Sequence, residues 1–379
     1  MSKPWGLAGF GIIAFISTVA ALAEDSAQSV VFRYQSRPGE VVRQRIVLQT
    51  VGSARMGPSE IKTGQSTTNE LKSETKKVNA DGSTEVEVTL VNVSMSITGN
   101  GRRMEFNSKT FDPAKEHDRD LRYLGRFFSA LAGTKFTMES SPEGKPTKVS
   151  GLHDIIQKAI DEVRKDIEKE KGRFFVSQIL EQVASMFDDE SVGRQMQSYY
   201  RMVPEKPGPV RVGETWQNRW IMDMPTLNAK CEAKGEYELL GVETFRGRPC
   251  AKIRLKETLR LAPEPERTDN EKAKKPRNAG LLGSLMEQMD YTMTTSGGEG
   301  IAYWDYQAGV LVQLRQTQKM TIEARIKQGP ATVVAGASGL GTLTQKLNTS
   351  VRVDLIEGDE ATTTGASESR PGDSAEKAP

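Results

Sequence analysis

The feature that most constrains this chain is a two-residue alternation running through its C-terminal half. In residues 229–239, Ala229, Cys231, Ala233, Tyr237 and Leu239 share one parity, and Lys230, Glu232, Lys234, Glu236 and Glu238 the other. Residues 251–261 alternate again, with Ala251, Ile253, Leu255, Leu259 and Leu261 on the apolar parity. Successive strand side chains point to opposite faces, so each run reads as a strand with one buried and one solvated face. Arg246-Gly247-Arg248 between them reads as a hairpin turn. A three-residue loop there pairs odd with odd positions and superimposes the apolar faces. The chain's two cysteines, Cys231 and Cys250, then fall on opposite faces. They stand roughly 40 Å apart along the hairpin, and a disulfide needs Cα atoms within about 7 Å. Both are expected as free thiols.

The same period recurs elsewhere. Val42, Gln44, Ile46, Leu48 and Thr50 share a face. Ala80-Asp81-Gly82 is a turn feeding a strand over 85–97. Its apolar residues switch from even (Val86, Val88, Leu90) to odd (Val91, Val93, Met95, Ile97), which predicts a β-bulge or burial of both faces. Residues 134–150 read as strand, turn (Ser141-Pro142-Glu143-Gly144) and strand. Residues 209–221 read as one strand with Gly213 inside it. A turn at Tyr306 to Gly309 separates 299–305 from a long strand over 310–326, and Leu343, Leu347, Val351, Val353 and Leu355 mark the last strand.

Helical periodicity occupies the middle. Asp112-Pro113 offers an N-cap and an N1 proline, and Leu121, Leu124, Phe127, Phe128 and Leu131 form a stripe ending before Gly133. A second stripe carries Leu152, Ile155, Ile156, Ala159, Ile160, Val163 and Ile167. A third helix is expected around Phe175, Ile179, Val183, Met186 and Phe187, and a short fourth over 191–201.

The N-terminus reads as an address. Lys3 precedes an apolar run over 5–20, and Ala21-Leu22-Ala23 is a small-residue cleavage site before Glu24. The run is shorter than the roughly 20 apolar residues of a membrane span. The chain is therefore expected to be exported, periplasmic or extracellular, with the signal peptide cleaved after Ala23 and no stable membrane span afterwards. The expected divisions are 1–23 signal peptide, 24–150 N-terminal β half with one helix, 151–207 helical insert, 208–357 C-terminal β half, and 358–379 disordered tail. Residues 263–278, charged and Pro-rich, read as a disordered loop.

The formal net charge of +2 over 379 residues gives no bulk attraction to nucleic acid. The two histidines, His117 and His153, lie among charges at helix starts and read as solvated. No GxSxG elbow accompanies them. Asp188-Asp189-Glu190 lacks the alternate spacing of a calcium loop and reads as the first turn of a helix. The glycines over 336–341 run GxxGxG ahead of a strand, which is a loop rather than a nucleotide cradle. No catalytic residue, metal or cofactor is expected, and no enzyme.

One stretch invites a binding role. Directly after the charged loop comes 280–289, GLLGSLMEQM, whose Leu281, Leu282, Leu285, Met286 and Met289 form an apolar flap that would cover a ligand, a partner or the protein's own core. A short helix packed on the core is the plain alternative.

Several short segments together resemble a known family. Pro38-Gly39-Glu40-Val41-Val42, the run Val210-Arg211-Val212-Gly213-Glu214-Thr215-Trp216, and Gly298-Glu299-Gly300 followed by Trp304-Asp305 and Gly309-Val310-Leu311 resemble the secreted bacterial Domain of Unknown Function 6263 family. The resemblance implies an exported, largely β protein and carries no activity. The expected architecture is α+β, mainly antiparallel β: a long-stranded curved sheet or half-barrel with a central helical insert packed on it. The expected function is non-catalytic binding of an apolar small molecule, a lipid or acyl chain, in the sheet's cavity. The alternative is a structural or interaction module contacting an envelope protein.

Overall fold

A computed structural model describes residues 9–13, 29–56, 59–99, 102–142, 144–169, 189–204, 208–224, 229–261, 289–326 and 343–356. The protein is mostly antiparallel β. Its main sheet has twelve strands. Following hydrogen bonds from one end, these are β10 (Thr215–Met224), β11 (Ala229–Phe245), β12 (Arg248–Leu261), β13 (Met289–Asp305), β14 (Val310–Ile326) and β15 (Leu343–Leu355). The path continues through β3 (Val41–Met56), β4 (Ser59–Val78), β5 (Thr84–Gly99), β7 (Lys135–Ser140) and β8 (Pro146–Ser150), with β6 (Arg102–Asn107) also pairing β5. A second sheet orders β1 (Gly9–Ile13), β2 (Ser29–Gln35) and β9 (Pro209–Arg211). The helices are α1 (Arg119–Leu131), α2 (Leu152–Lys169) and α3 (Asp189–Tyr200).

The β11–β12 hairpin turns differently from the expectation. Arg246 and Gly247 both have positive φ, 51° and 74°, and Phe245 pairs with Arg248. This is a two-residue loop, which suits the right-handed twist of the strands but pairs odd with even. A bulge at Leu240 then shifts the register by one, so that Leu239 meets Ile253 and Tyr237 meets Leu255. The apolar faces coincide only because the bulge restores the parity. Cys250 sits opposite Glu243 and Cys231 opposite Leu261, and both are buried thiols outside any disulfide. The bulge expected in β5 falls at Val91, between the Leu71–Leu90 and Glu70–Asn92 pairs.

Two boundaries move. Asp112 closes only a local turn, accepting from the Ala114 N–H at 3.0 Å. The N-cap of α1 is Asp118, whose Oδ1 accepts from the Leu121 N–H at 3.1 Å, so the helix starts at Arg119 rather than beside Pro113. The expected single strand 209–221 is two strands in different sheets. Gly213 has φ of 85°, and the Glu214 N–H donates to the Arg211 carbonyl, so the chain turns there and leaves β9 for β10. Within the stretch expected as a helical insert, α2 and α3 are helical. Residues 170–188, with the third expected helix, lie outside the described residues, as do 263–278, 336–341 and 358–379.

The hydrogen-bonded path does not close, yet a short stretch of chain links its two end strands. Gln197 of α3 donates to the Pro146 carbonyl on β8 at 2.6 Å. Four residues later, the Arg201 carbonyl accepts from Asn218 on β10, and Trp216 Nε1 on β10 donates to the Met202 carbonyl at 3.0 Å. Ten strand steps at about 4.8 Å span roughly 48 Å if the sheet is flat, whereas four residues reach about 15 Å. The sheet therefore bends, with α3 across the gap. One apolar cluster links its bent interior to the helices: Leu239, Ile253, Ala302, Trp304 and Val353 from the strands, and Phe127, Leu131, Ile156 and Ile160 from α1 and α2.

Candidate functional site

The core-facing side of the sheet changes character in three successive cross-strand rows. The first, Leu239–Ile253–Ala302–Leu314–Val353–Ile46, is entirely apolar and buried. The second, two residues along, reads Trp216–Tyr237–Leu255–Gly300–Gln316–Val351–Leu48–Thr67. The third reads Asn218–Gly235–Glu257–Gly298–Gln318–Thr349–Thr50–Gln65. Over about 14 Å of strand the surface passes from aliphatic to polar.

Glu257 stands at the centre of that change, with glycine on both neighbouring strands. A Cβ on Gly235 would lie 2.3 Å from the Tyr237 hydroxyl, and one on Gly298 would lie 3.4 Å from Gln316 Nε2. The two glycines thus open the space into which Tyr237 and Gln316 lean beside the Glu257 carboxylate. Gln316 Nε2 donates to Glu257 Oε2 at 2.5 Å. Burial pushes the Glu257 pKa up, because the Gln316 hydrogen bond and the more distant Arg201 charge offset only part of the desolvation. Burial also pushes the Tyr237 hydroxyl up, with the Glu257 charge adding to it.

Arg201 completes the group. Its guanidinium lies 4.4 Å from the Trp220 ring centroid, a cation–π contact. Burial lowers its pKa to about 10, against the raising effects of Tyr237 and Glu257, so it stays charged at neutral pH. Among the described residues its side chain has no salt bridge or hydrogen bond, its ring contact being its recorded interaction. Its backbone is fixed instead: Asn218 Nδ2 donates to the Arg201 and Val203 carbonyls. Trp216 is stacked on Tyr237 at 5.8 Å and tilted against Phe32 of β2 at 5.8 Å. Two further polar atoms on this side, Trp220 Nε1 and Ser296 Oγ, are buried without a hydrogen-bond partner. Buried polar atoms are nearly always paired, so each such exception calls for a cause.

Buried carboxylates elsewhere are treated differently. Glu70 takes Arg45 at 3.0 Å and Lys109 at 2.8 Å. Burial raises its pKa, but the hydrogen bonds from Lys109 and Arg45 outweigh this and leave it lowered. Asp305 is paired with Arg248 at 2.8 Å. These pairs hold the fold, whereas Glu257 has an amide for its partner.

Of the residues singled out from sequence, Leu281, Leu282, Leu285 and Met286 lie outside the described residues. Met289 is the first residue of β13, opposite Ile326. His117 and His153 are exposed. Asp189 opens α3, and its Oδ1 accepts from the Leu152 and His153 N–H groups at 2.9 and 3.1 Å, capping α2. Sequence reading missed the Arg201–Glu257 group, although a signal was present: Glu257 is the lone charge on the apolar parity of 251–261. Among the described residues no group of three His, Cys, Asp or Glu is placed to hold a metal ion, and no helix is long and apolar enough to cross a membrane.

No curated protein matches the chain by sequence. Among solved structures, it is similar to lipovitellin, described for its lipid–protein interactions, at 9% identity and TM-score 0.39, covering 88% of this chain and 27% of that one. It thus spans about a quarter of the lipovitellin chain. It is also similar to an outer membrane channel of Pseudomonas putida F1, at 7% identity and TM-score 0.19, covering 89% of this chain and 100% of that one. A DUF1329 family protein of Desulfovibrio piger gives 8% identity and TM-score 0.13, covering 83% and 88%. Likenesses this weak establish neither fold nor function. The family comparison is decisive: the sequence profile of the Family of unknown function (DUF6263) matches residues 81–297. More than half of the chain carries that match, and the protein belongs to this family.

Proposed function

We propose that this protein is exported and binds an apolar ligand, a lipid or acyl chain, within a half-barrel whose helices fill only one end, and that it catalyses no reaction. The observation that carries this reading is the gradient on the core-facing side. An aliphatic row leads into a group of half-buried polar side chains whose hydrogen-bonding capacity is under-used. Such groups are costly in a finished core and useful where a ligand completes them.

N-terminal sequencing of exported protein should begin at Glu24. A start at Met1 would overturn the export reading. Native mass spectrometry of protein taken from its own envelope, with solvent extraction, should recover a stoichiometric lipid or acyl compound. Protein that emerges ligand-free and binds no apolar dye would favour the other reading, an envelope interaction module. That alternative draws support from the single buried cluster that joins the first row to residues of α1 and α2.

The 280–289 segment runs directly into β13, and we assign it the role of a flap over the ligand. Replacing Leu281, Leu282, Leu285 and Met286 with Ser should weaken binding of a fluorescent fatty acid and leave the Tm nearly unchanged. A Tm lower by several degrees with binding intact would make the segment part of the core.

A further inference from the structure

We propose that the Arg201–Trp220–Glu257 group is a headgroup seat for a single-tailed amphiphile ending in a carboxylate, held with its tail along the half-buried apolar residues of the neighbouring strands. The inference rests on the apolar-ligand reading and adds the headgroup class.

Three observations on the geometry select that class. First, the one cation in the group has no carboxylate within salt-bridge distance among the described residues. Its guanidinium lies over the Trp220 ring, 4.4 Å from the centroid, and its backbone is fastened by Asn218. A guanidinium edge fits a carboxylate with two parallel hydrogen bonds. Second, the indole N–H of Trp220 is buried and unpaired. It can only donate, so its missing partner is an acceptor. Third, Glu257 takes the Gln316 amide as its hydrogen-bond partner at 2.5 Å and leaves the guanidinium to another acceptor. The seat thus offers a guanidinium and an indole N–H as donors, which matches an anion of acceptor oxygens. Tail direction follows from exposure: Trp216, Val351 and Leu48 of the second row are half-buried, whereas Leu239, Ile253 and Ala302 one row beyond are sealed.

The test is competition against a fluorescent polyene fatty acid on the purified exported protein, with oleate, oleyl alcohol and acetate as competitors. Oleate should displace the probe at least tenfold better than oleyl alcohol, the size of a charge-assisted hydrogen bond to a buried partner. Acetate, a carboxylate without a tail, should displace nothing at the same concentration. Arg201→Gln should bring oleate down to the level of oleyl alcohol without changing the alcohol, and Arg201→Lys should recover part of the preference. Equal displacement by oleate and oleyl alcohol on the unaltered protein overturns the headgroup seat and leaves the apolar-ligand reading standing. Displacement by acetate alone overturns the amphiphile and makes the site one for small anions. No binding of probe, oleate or alcohol overturns both readings.

Discussion

The two ends of the sheet's core-facing side are built by opposite rules. At one end, Phe127 and Ile156 of the helices share one buried cluster with Leu239, Ile253 and Trp304 of the strands, all at 0–1% exposure. At the other, Arg201, Glu257, Trp220 and Ser296 gather polar atoms with few partners. The same strands β11 to β14 serve both ends, so neither propensity nor hydrogen-bonded register distinguishes them. What differs is what covers them. The aliphatic row is fully buried in one cluster with residues of α1 and α2, whereas Glu257, Gln316 and Gln318 of the polar rows are half-buried. A protein selected only for stability would continue the aliphatic pattern along the same parity, because buried polar groups without partners cost free energy. The break in the pattern at Gly235, Glu257, Gly298 and Gln316 therefore marks a region where something other than stability decided the residues.

The comparison breaks most easily at its packed end. Ile156 is 1% exposed on α2, and Ile156→Asp places an unpaired charge among Phe127, Leu131 and the strands. The expected loss is about 4 kcal/mol or more, read by urea denaturation. A loss below about 1 kcal/mol would mean that the helices do not carry the core.

Much of this architecture was legible in the sequence, for a physical reason. β11, β12, β14 and β15 each have one buried and one solvated face, and that asymmetry writes itself as alternation. β4 has no such asymmetry. Its sequence, SEIKTGQSTTNELKSETKKV, is polar on both faces over most of its length, and it becomes a strand because β3 and β5 pair with it. The two-residue turn at Arg246-Gly247 and the bulge at Leu240 compensate each other, so parity alone gives the right faces for the wrong loop. The link between β8 and β10 left no local mark, since it depends on Gln197, Arg201 and Asn218 meeting partners far along the chain. The polar group was half legible: Glu257 and Gln316 interrupt apolar parities, but their approach to Arg201 needs the fold.

Two substitutions of intermediate size sharpen the packed side. Glu70 is tied to Arg45 and Lys109, and with its pKa lowered its contribution is present above the unfolded value of about 4.5 and lost as pH falls through the folded value. Glu70→Gln should cost about 1–2 kcal/mol at pH 7, with the half-exposed Arg45 and Lys109 limiting the effect, and nothing once Glu70 is protonated. Equal loss at both pH values would assign the effect to packing instead. Asp189→Ala removes the side-chain acceptor for the Leu152 and His153 N–H groups and should cost about 1 kcal/mol. The exposed His117→Ala should cost less than about 0.5 kcal/mol, and parity of the two would show that Asp189 does not cap α2.

The last expected change has the opposite sign and bears most directly on the difference between the two ends. Glu257 has its pKa raised by burial. The folded protein therefore holds a proton there that the unfolded chain releases above about pH 4.5. Stability falls as pH rises from the unfolded value through the raised folded one. Glu257→Gln keeps the shape and removes the titration. The variant should be as stable as the parent near pH 4 and more stable near pH 7.5, by less than about 1 kcal/mol, in paired urea titrations. Glu70→Gln should move the other way at pH 7.5. If Glu257→Gln instead destabilised the protein at pH 7.5, Glu257 would act as an ionised partner of Arg201, and the polar end would be a structural ion pair like that of Glu70. A gain that grows with pH would fit a carboxyl group kept at a cost to the fold, as a headgroup seat requires.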